Sequence, residues 1–379
     1  MKSIARLLAS MTWAASLLVT APVAAGADDV SSYMLVGSAG SLPSGLSDQI
    51  ASFGGSITDV YPEIGIAIAS SGDLAFAANA STIAGLQSVA KDATFDLDTG
   101  TVGYPPTSTD DDRFFNMQWA LAAIHAPDAW NAGARGAGVR VAVLDTGIDV
   151  NHPDLRANLN LALSKSFLPG LPVAAPPGPP SFTAPPHHGT WVAGIIGAAD
   201  NGVGVIGVAP QTELVALRVC PDNGHGCPSS AIIGALVYAA EHDTDVINMS
   251  LDFTLPRRGF TDATGAFISA AEVNADLVAL TRALNFAHSH GATIVGIAGN
   301  KGADLDGDQD AVHLGQLPHV ITAAATGPRG WGTNPATDLD LHACYSNYGT
   351  SAVDLAAPGG NFDCAQGFPP SPPYTFCRV

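Results

Sequence analysis

A carboxylate, an imidazole and a hydroxyl together allow attack on an acyl carbon, and this sequence offers one of each in a setting suited to that chemistry. Asp145 closes the apolar run of "VAVLDTGID", His188 opens "HGTWVAGIIGA", and Ser351 stands in Gly349-Thr350-Ser351-Ala352. A carboxylate at the end of a strand can hold an imidazole in one tautomer and stabilise its cation; it can equally cap a following helix. An imidazole just before a Gly-containing helical run can act as general base, although single histidines also serve structural or exposed roles. Ser351 raises the question of whether it is the nucleophile or only has the look of one.

The elements that would position these groups follow from hydrophobic patterning. "VRVAVLDTG" is a nearly continuous apolar run, as expected of a parallel central strand covered on both faces. "TELVALRVC", "TDVINMSL", "ATIVGIAGN" and "HVITAAAT" repeat the type, with helical "SSAIIGALVYAAEH" and "AEVNADLVALTRALNFAHSHG" between them. Alternating strands and helices predict an α/β fold with a doubly wound parallel sheet, whose functional groups gather at the carboxyl ends of strands. Upstream, residues 31–98 read as β, α, β, β, α, β, a small open-faced α/β sandwich. Residues 99–115, polar and Pro-containing, are expected to be an exposed linker, and Ser166 to Pro186 a stiff, extended surface loop. The segment after Ser351 alternates Val353 and Leu355 like a strand, and Pro358-Gly359 leaves no length for a helix.

Charged residues make up 13% of the 379-residue chain and the formal net charge is -19, which disfavours nucleic acid and anionic membranes as partners. Residues 1–27 combine Lys2 and Arg6, an apolar run and small residues, the layout of a secretory signal peptide cleaved near Ala25 or Ala27. Export to the periplasm or the extracellular space makes disulfides plausible. Of the five cysteines, Cys220 and Cys227 bracket the turn-rich "PDNGHG" and are expected to pair, which leaves an odd number.

The blocks "AVLDTGIDVNHPDL", "HGTWVAG", "NGVGVIGVAP", "INMSL" and "GIAGN" occur in this order, and from about Asn116 to Gly360 the chain resembles the subtilisin-like serine proteases. That resemblance implies a secreted endopeptidase acting on proteins or peptides, with residues 116–379 as its catalytic domain. The segment 31–98 is similar to the family's inhibitory propeptide, a partner of the same chain. Asp145 would be the orienting acid and His188 the base, His187 being its upstream neighbour. Asn300 would donate its side-chain amide into the oxyanion hole, and Ser250 and Leu251 would pair with an extended substrate backbone. No cofactor and no catalytic metal are implied. Asp154 and Asn201 match positions that serve structural calcium in some members. Two departures stand out: Asp252 where Gly is more usual, and Trp191 where a second His is often seen.

Two further patterns favour loops over sites. Gly202-x-Gly204-x-x-Gly207 follows "AAD" and not a buried strand, so a dinucleotide site is disfavoured. The acidic run Asp304 to Asp310 lacks the spacing of an EF-hand. "YSNYGTSAVDLAAPGG" resembles the block that precedes the family's nucleophile, in which a strand ends at "APG". Ser351 is therefore expected to be a chance echo, and the catalytic domain to be C-terminally incomplete and inactive, with apolar sheet surface left uncovered. A peptide-binding pseudoprotease is the alternative reading.

Overall fold

A computed structural model describes residues 30–95, 111–175, 187–222, 226–251, 254–262, 265–331, 334 and 336–361. The signal-peptide expectation, Asp252 and most of the 99–115 and 166–186 expectations lie outside them.

The N-terminal unit runs β1 (Ser31–Gly37), α1 (Leu46–Ser52), β2 (Gly55–Tyr61), β3 (Ile66–Ser71), α2 (Phe76–Ala80) and β4 (Leu86–Lys91). Its four strands form an antiparallel sheet in the order β2-β3-β1-β4. The period-2 pattern of β1 gives this sheet two apolar faces. Tyr33 and Leu35 pack with Ile50 and Phe76 under α1 and α2, whereas Met34 and Val36 join the core of the larger unit. Such a sheet needs a cover on each side, and the larger unit supplies the second. A short strand, β5 (Thr94–Phe95), follows.

Next come α3 (Trp119–Ala123), α4 (Ala126–Asn131), β6 (Arg140–Asp145), β7 (Lys165–Ser166), α5 (His188–Gly197), β8 (Glu213–Arg218), β9 (Cys227–Pro228) and α6 (Ser229–Glu241). They are followed by β10 (Val246–Met249), β11 (Thr254–Pro256), β12 (Gly259–Thr261), β13 (Phe267–Ser269) and α7 (Ala270–Ser289). The last elements are β14 (Thr293–Ile297), β15 (Ala311–His313), β16 (Val320–Thr326) and β17 (Leu355–Pro358). Seven strands make a parallel sheet in the order β17-β16-β14-β10-β6-β8-β7. This is the doubly wound arrangement that the alternation predicts.

Along β6, Ala142 and Leu144 face the core shared with α6 and α7, and Val141 and Val143 face that of α5. The α5 side is thinly covered toward β16, where Val295 and Ile297 are only part-buried and Ile321 is 37% exposed. A capping box at Ser269 and Glu272 fixes the start of α7, the longest helix among the described residues.

Three local expectations change. Asp112, at the end of the expected exposed linker, is buried, and its Oδ1 accepts the Asn201 amide at 3.4 Å. The expected surface loop begins inside the sheet: Lys165 and Ser166 pair with β8, and Ala174 bridges Ile148. The hairpin of β12 and β13 between the strand "INMSL" and α7 was not foreseen.

Candidate active site

Parallel register sets the site. Leu144 of β6 lies beside Met249 of β10, which in turn lies beside Gly296 of β14. The residues just beyond, Asp145, Ser250 and the Ala298–Asn300 turn, therefore emerge at one edge of the sheet. Between β6 and β10 the strand order reverses, with β8 and β7 on one side and β14, β16 and β17 on the other. That is the crevice in which α/β folds place ligands.

Asp145 is 1% exposed, and its two carboxylate oxygens lie 2.9 and 2.8 Å from Nδ1 of His188. The Thr146 amide donates to Oδ1 at 2.7 Å and fixes the carboxylate plane. His188 is held from its own side as well. It opens α5, and the next amide, Gly189, donates to Thr146 Oγ1 at 3.2 Å. A Cβ at Gly189 would stand 2.3 Å from the Gly147 carbonyl oxygen and 3.1 Å from Asp145 Cβ, so only glycine lets the helix approach the strand this closely. An imidazole whose Nδ1 is committed to a carboxylate presents Nε2 for proton transfer. His187 is buried one residue upstream, and its carbonyl accepts the Trp191 amide.

Asn300 follows β14 in a turn braced by a residue that the sequence reading missed. Asn347 is 1% exposed; its Nδ2 donates to the Ala298 carbonyl (2.8 Å), and its Oδ1 accepts the amides of Lys301 (2.9 Å) and Ala303 (3.0 Å). Its own amide donates to the Gly299 carbonyl at 2.8 Å. The only local signal was an Asn in "YSNYG", a residue type equally at home in an exposed turn.

Ser250 Oγ accepts from Asn248 Nδ2 at 3.0 Å. Leu251 turns its side chain inward, 1% exposed, into an apolar cluster with Leu236, Leu280 and Leu314. A further short strand was not announced by the sequence. β9 pairs antiparallel with β5, Thr94 against Pro228 and Phe95 against Cys227. The Cys220–Cys227 disulfide ties this edge to the end of β8, and both cysteines are fully buried.

Ser351 is engaged by the carboxylate of Asp306. It is exposed, its Oγ donates to Asp306 Oδ1 at 2.6 Å and its amide to the same oxygen at 2.9 Å. Thr350 donates its amide and hydroxyl to Oδ2 of Asp306 at 2.6 and 2.7 Å. Four donors hold the Asp306 carboxyl well below the usual carboxylate range, the Ser351 hydroxyl foremost. The chain then enters β17 as an extended strand.

A buried carboxylate lies in the chain beyond the end of β6. Asp154 is 2% exposed; Oδ2 accepts the Val205 amide at 3.0 Å, while Oδ1 is buried without a hydrogen-bond partner among the described residues. A Cβ at Gly204 would lie 2.0 Å from Asp154 Oδ2. The Asn201 side chain accepts the Val203 amide at 2.9 Å. Carboxylate oxygens of Asp111, Asp112 and Asp200, the last adjoining Asn201, come within 4.8 Å of one another.

The model of the Subtilase family matches residues 136–376. Subtilisin BL of Lederbergia lenta is 35% identical over 247 residues, 65% of this chain and 73% of that protein. An alkaline protease of Alkalihalobacillus alcalophilus is also 35% identical over 247 residues, and the chain spans about half of its length (52%). Among solved structures, an epidermin leader peptide processing serine protease from Staphylococcus aureus shares the fold at a TM-score of 0.67 and 20% identity, over 90% of this chain and 77% of that one. Fervidolysin from Fervidobacterium pennivorans does so at a TM-score of 0.63 and 22% identity, over 88% and 47%. With the family model matched across more than half of its length, the chain belongs to the subtilase family of serine proteases.

Proposed function

We propose that this chain is built as a secreted, propeptide-bearing subtilisin-like serine endopeptidase. The observation that carries the reading is the buried contact of both Asp145 oxygens with His188 Nδ1, at the carboxyl edge of the central sheet. In that chemistry Asp145 orients His188, His188 Nε2 takes the proton of an attacking hydroxyl, and Asn300 steadies the oxyanion. A peptide would lie extended between β9 and Ser250-Leu251 and gain main-chain hydrogen bonds by strand addition. The pairing of β5 with β9 supports residues 31–95 as an inhibitor whose last strand occupies that position. Export is supported by the composition of residues 1–27 and by the disulfide.

Asp154 and Asn201 fit structural calcium, because Asp154 buries a carboxylate oxygen that lacks a donor. A bound cation would satisfy it and brace the turn before Gly204.

The Ser351 hydroxyl donates to Asp306 and not to His188 among the described residues. This favours a second reading for the chain by itself: a peptide-binding module without turnover. Casein hydrolysis by the purified chain, and its thermal melt with and without added peptide, separate the two. Robust hydrolysis abolished by Ser351→Ala overturns both the role given to Asp306 and the second reading. A peptide-dependent rise in Tm without hydrolysis supports the module.

A further inference from the structure

Where the N-terminal sheet meets α6 and α7, the contact buries carboxylates from both sides. Asp92, just after β4, reaches across to the start of α6. Its Oδ1 accepts the Ser230 amide at 3.0 Å, its Oδ2 accepts the Ser230 hydroxyl, and Ser32 adds a side-chain hydrogen bond. On α7, Asp276 is 0% exposed, and neither of its carboxylate oxygens has a hydrogen-bond partner among the described residues.

The surrounding charge is unfavourable to both. Asp92 and Asp276 repel each other, Glu272 adds to the field on Asp276, and Asp262 to that on Asp92. Element by element, the groups at this seam are Asp59 and Tyr61 on β2, Lys91 at the end of β4 with Asp92 just after it, and Glu241 on α6. Asp262 after β12 and Glu272, Asp276 and Arg282 on α7 complete the set. Arg282 is taken up by the carbonyls of Gly37 (3.0 Å) and Ile64 (3.3 Å) and by Gln87 (2.9 Å). Neither Asp92 nor Asp276 makes an ion pair among the described residues, and the acidic cluster compact enough to share a cation is elsewhere, at Asp111, Asp112 and Asp200. Buried without a cation or donors, an ionised Asp276 is too costly to persist, and at Asp92 the donors only partly offset burial; the accessible remedy at both is a proton.

We propose that this seam is a proton-binding site shared by Asp92 and Asp276, so that docking of the N-terminal unit on α6 and α7 takes up protons and loosens as the pH rises. The geometry rests on the docked structure itself; only its meaning as control of an inhibitor rests on the function proposed above.

Burial pushes Asp92 up from 3.8 to about 6 and Asp276 well above the ordinary range, with the neighbouring carboxylates adding to both. Because both groups are raised in the docked state, their contribution is fully present below the undocked value and is lost as the pH climbs through the docked one. Between pH 5 and 8, Asp92 alone weakens docking about tenfold, taking 3.8 when undocked and about 6 when docked. Asp276 carries the effect further up the scale.

Native-state hydrogen exchange on the full chain at pH 5, 6, 7 and 8, corrected for intrinsic rates, reads this directly. The opening constant of peptides within 31–91 is expected to rise tenfold or more across the range, while peptides of β6 and β8 move less. Asp276→Asn, which mimics the protonated acid, should flatten the upper part of that rise, and Asp92→Asn the lower. A wild-type opening constant within threefold across the range overturns the proposal without any variant, as do slopes unchanged in both variants. Absence of protection in 31–91 even at pH 5 would instead remove the docking, and the inhibitor reading with it.

Discussion

Asn347 gives the most quantitative handle on the oxyanion turn. Asn347→Ala deletes three side-chain hydrogen bonds, to Ala298, Lys301 and Ala303, at a position that is 1% exposed. At a net value of about 1 kcal/mol each, the loss is about 3 kcal/mol, which corresponds to a rise of about a hundredfold in local opening. Hydrogen exchange at the Lys301 and Ala303 amides measures it. Asn347→Asp keeps an acceptor for both amides and loses only the donor to Ala298, so those two amides should remain within about tenfold of wild type. If Asn347→Ala leaves both amides within threefold of wild type, Asn347 does not brace the turn and Asn300 is held by something else.

Other consequences can be checked alongside. Gly189→Ala should push α5 away from β6, because the new Cβ meets the Gly147 carbonyl at 2.3 Å; the NMR signal of the hydrogen-bonded Nδ1 proton of His188 should shift or vanish, and an unchanged signal argues against the close-approach role. Replacing Cys220 and Cys227 by Ser opens a loop with a sequence separation of seven and should cost about 2 kcal/mol in urea unfolding, with increased exchange in peptides covering 226–230. Chelation by EGTA should lower Tm in the wild type and not in Asp154→Ala, if calcium occupies the turn where Asp154 buries an unpaired oxygen.

Strand runs were legible because burial on both faces writes them as continuous apolar stretches. "VAVLD", "VINMS" and "TIVGI" became β6, β10 and β14, and their shared register brings Asp145, Ser250 and Asn300 to one edge. The N-terminal βαββαβ order was legible from alternating strand-like and helical stretches, with the second helix at Phe76–Ala80. Asn347 and β9 were not legible, for a physical reason. Asn347 works through backbone groups that carry no side-chain signature, and β9 is a two-residue edge defined by a partner strand far upstream (Cys227 against Phe95). Asp276 was equally hidden: a single acid in an amphipathic helix reads as solvated until packing shows which face it occupies.

Ser351 decides the chemistry of this chain, and its reactivity can be read in one experiment. The purified chain would be treated with a fluorophosphonate and each serine examined by mass spectrometry. With its hydroxyl donated to Asp306 and the chain running straight into β17, Ser351 is expected to stay unlabelled. Stoichiometric labelling of Ser351 that disappears in His188→Ala would contradict this, and would make Ser351 the nucleophile served by His188 and Asp145.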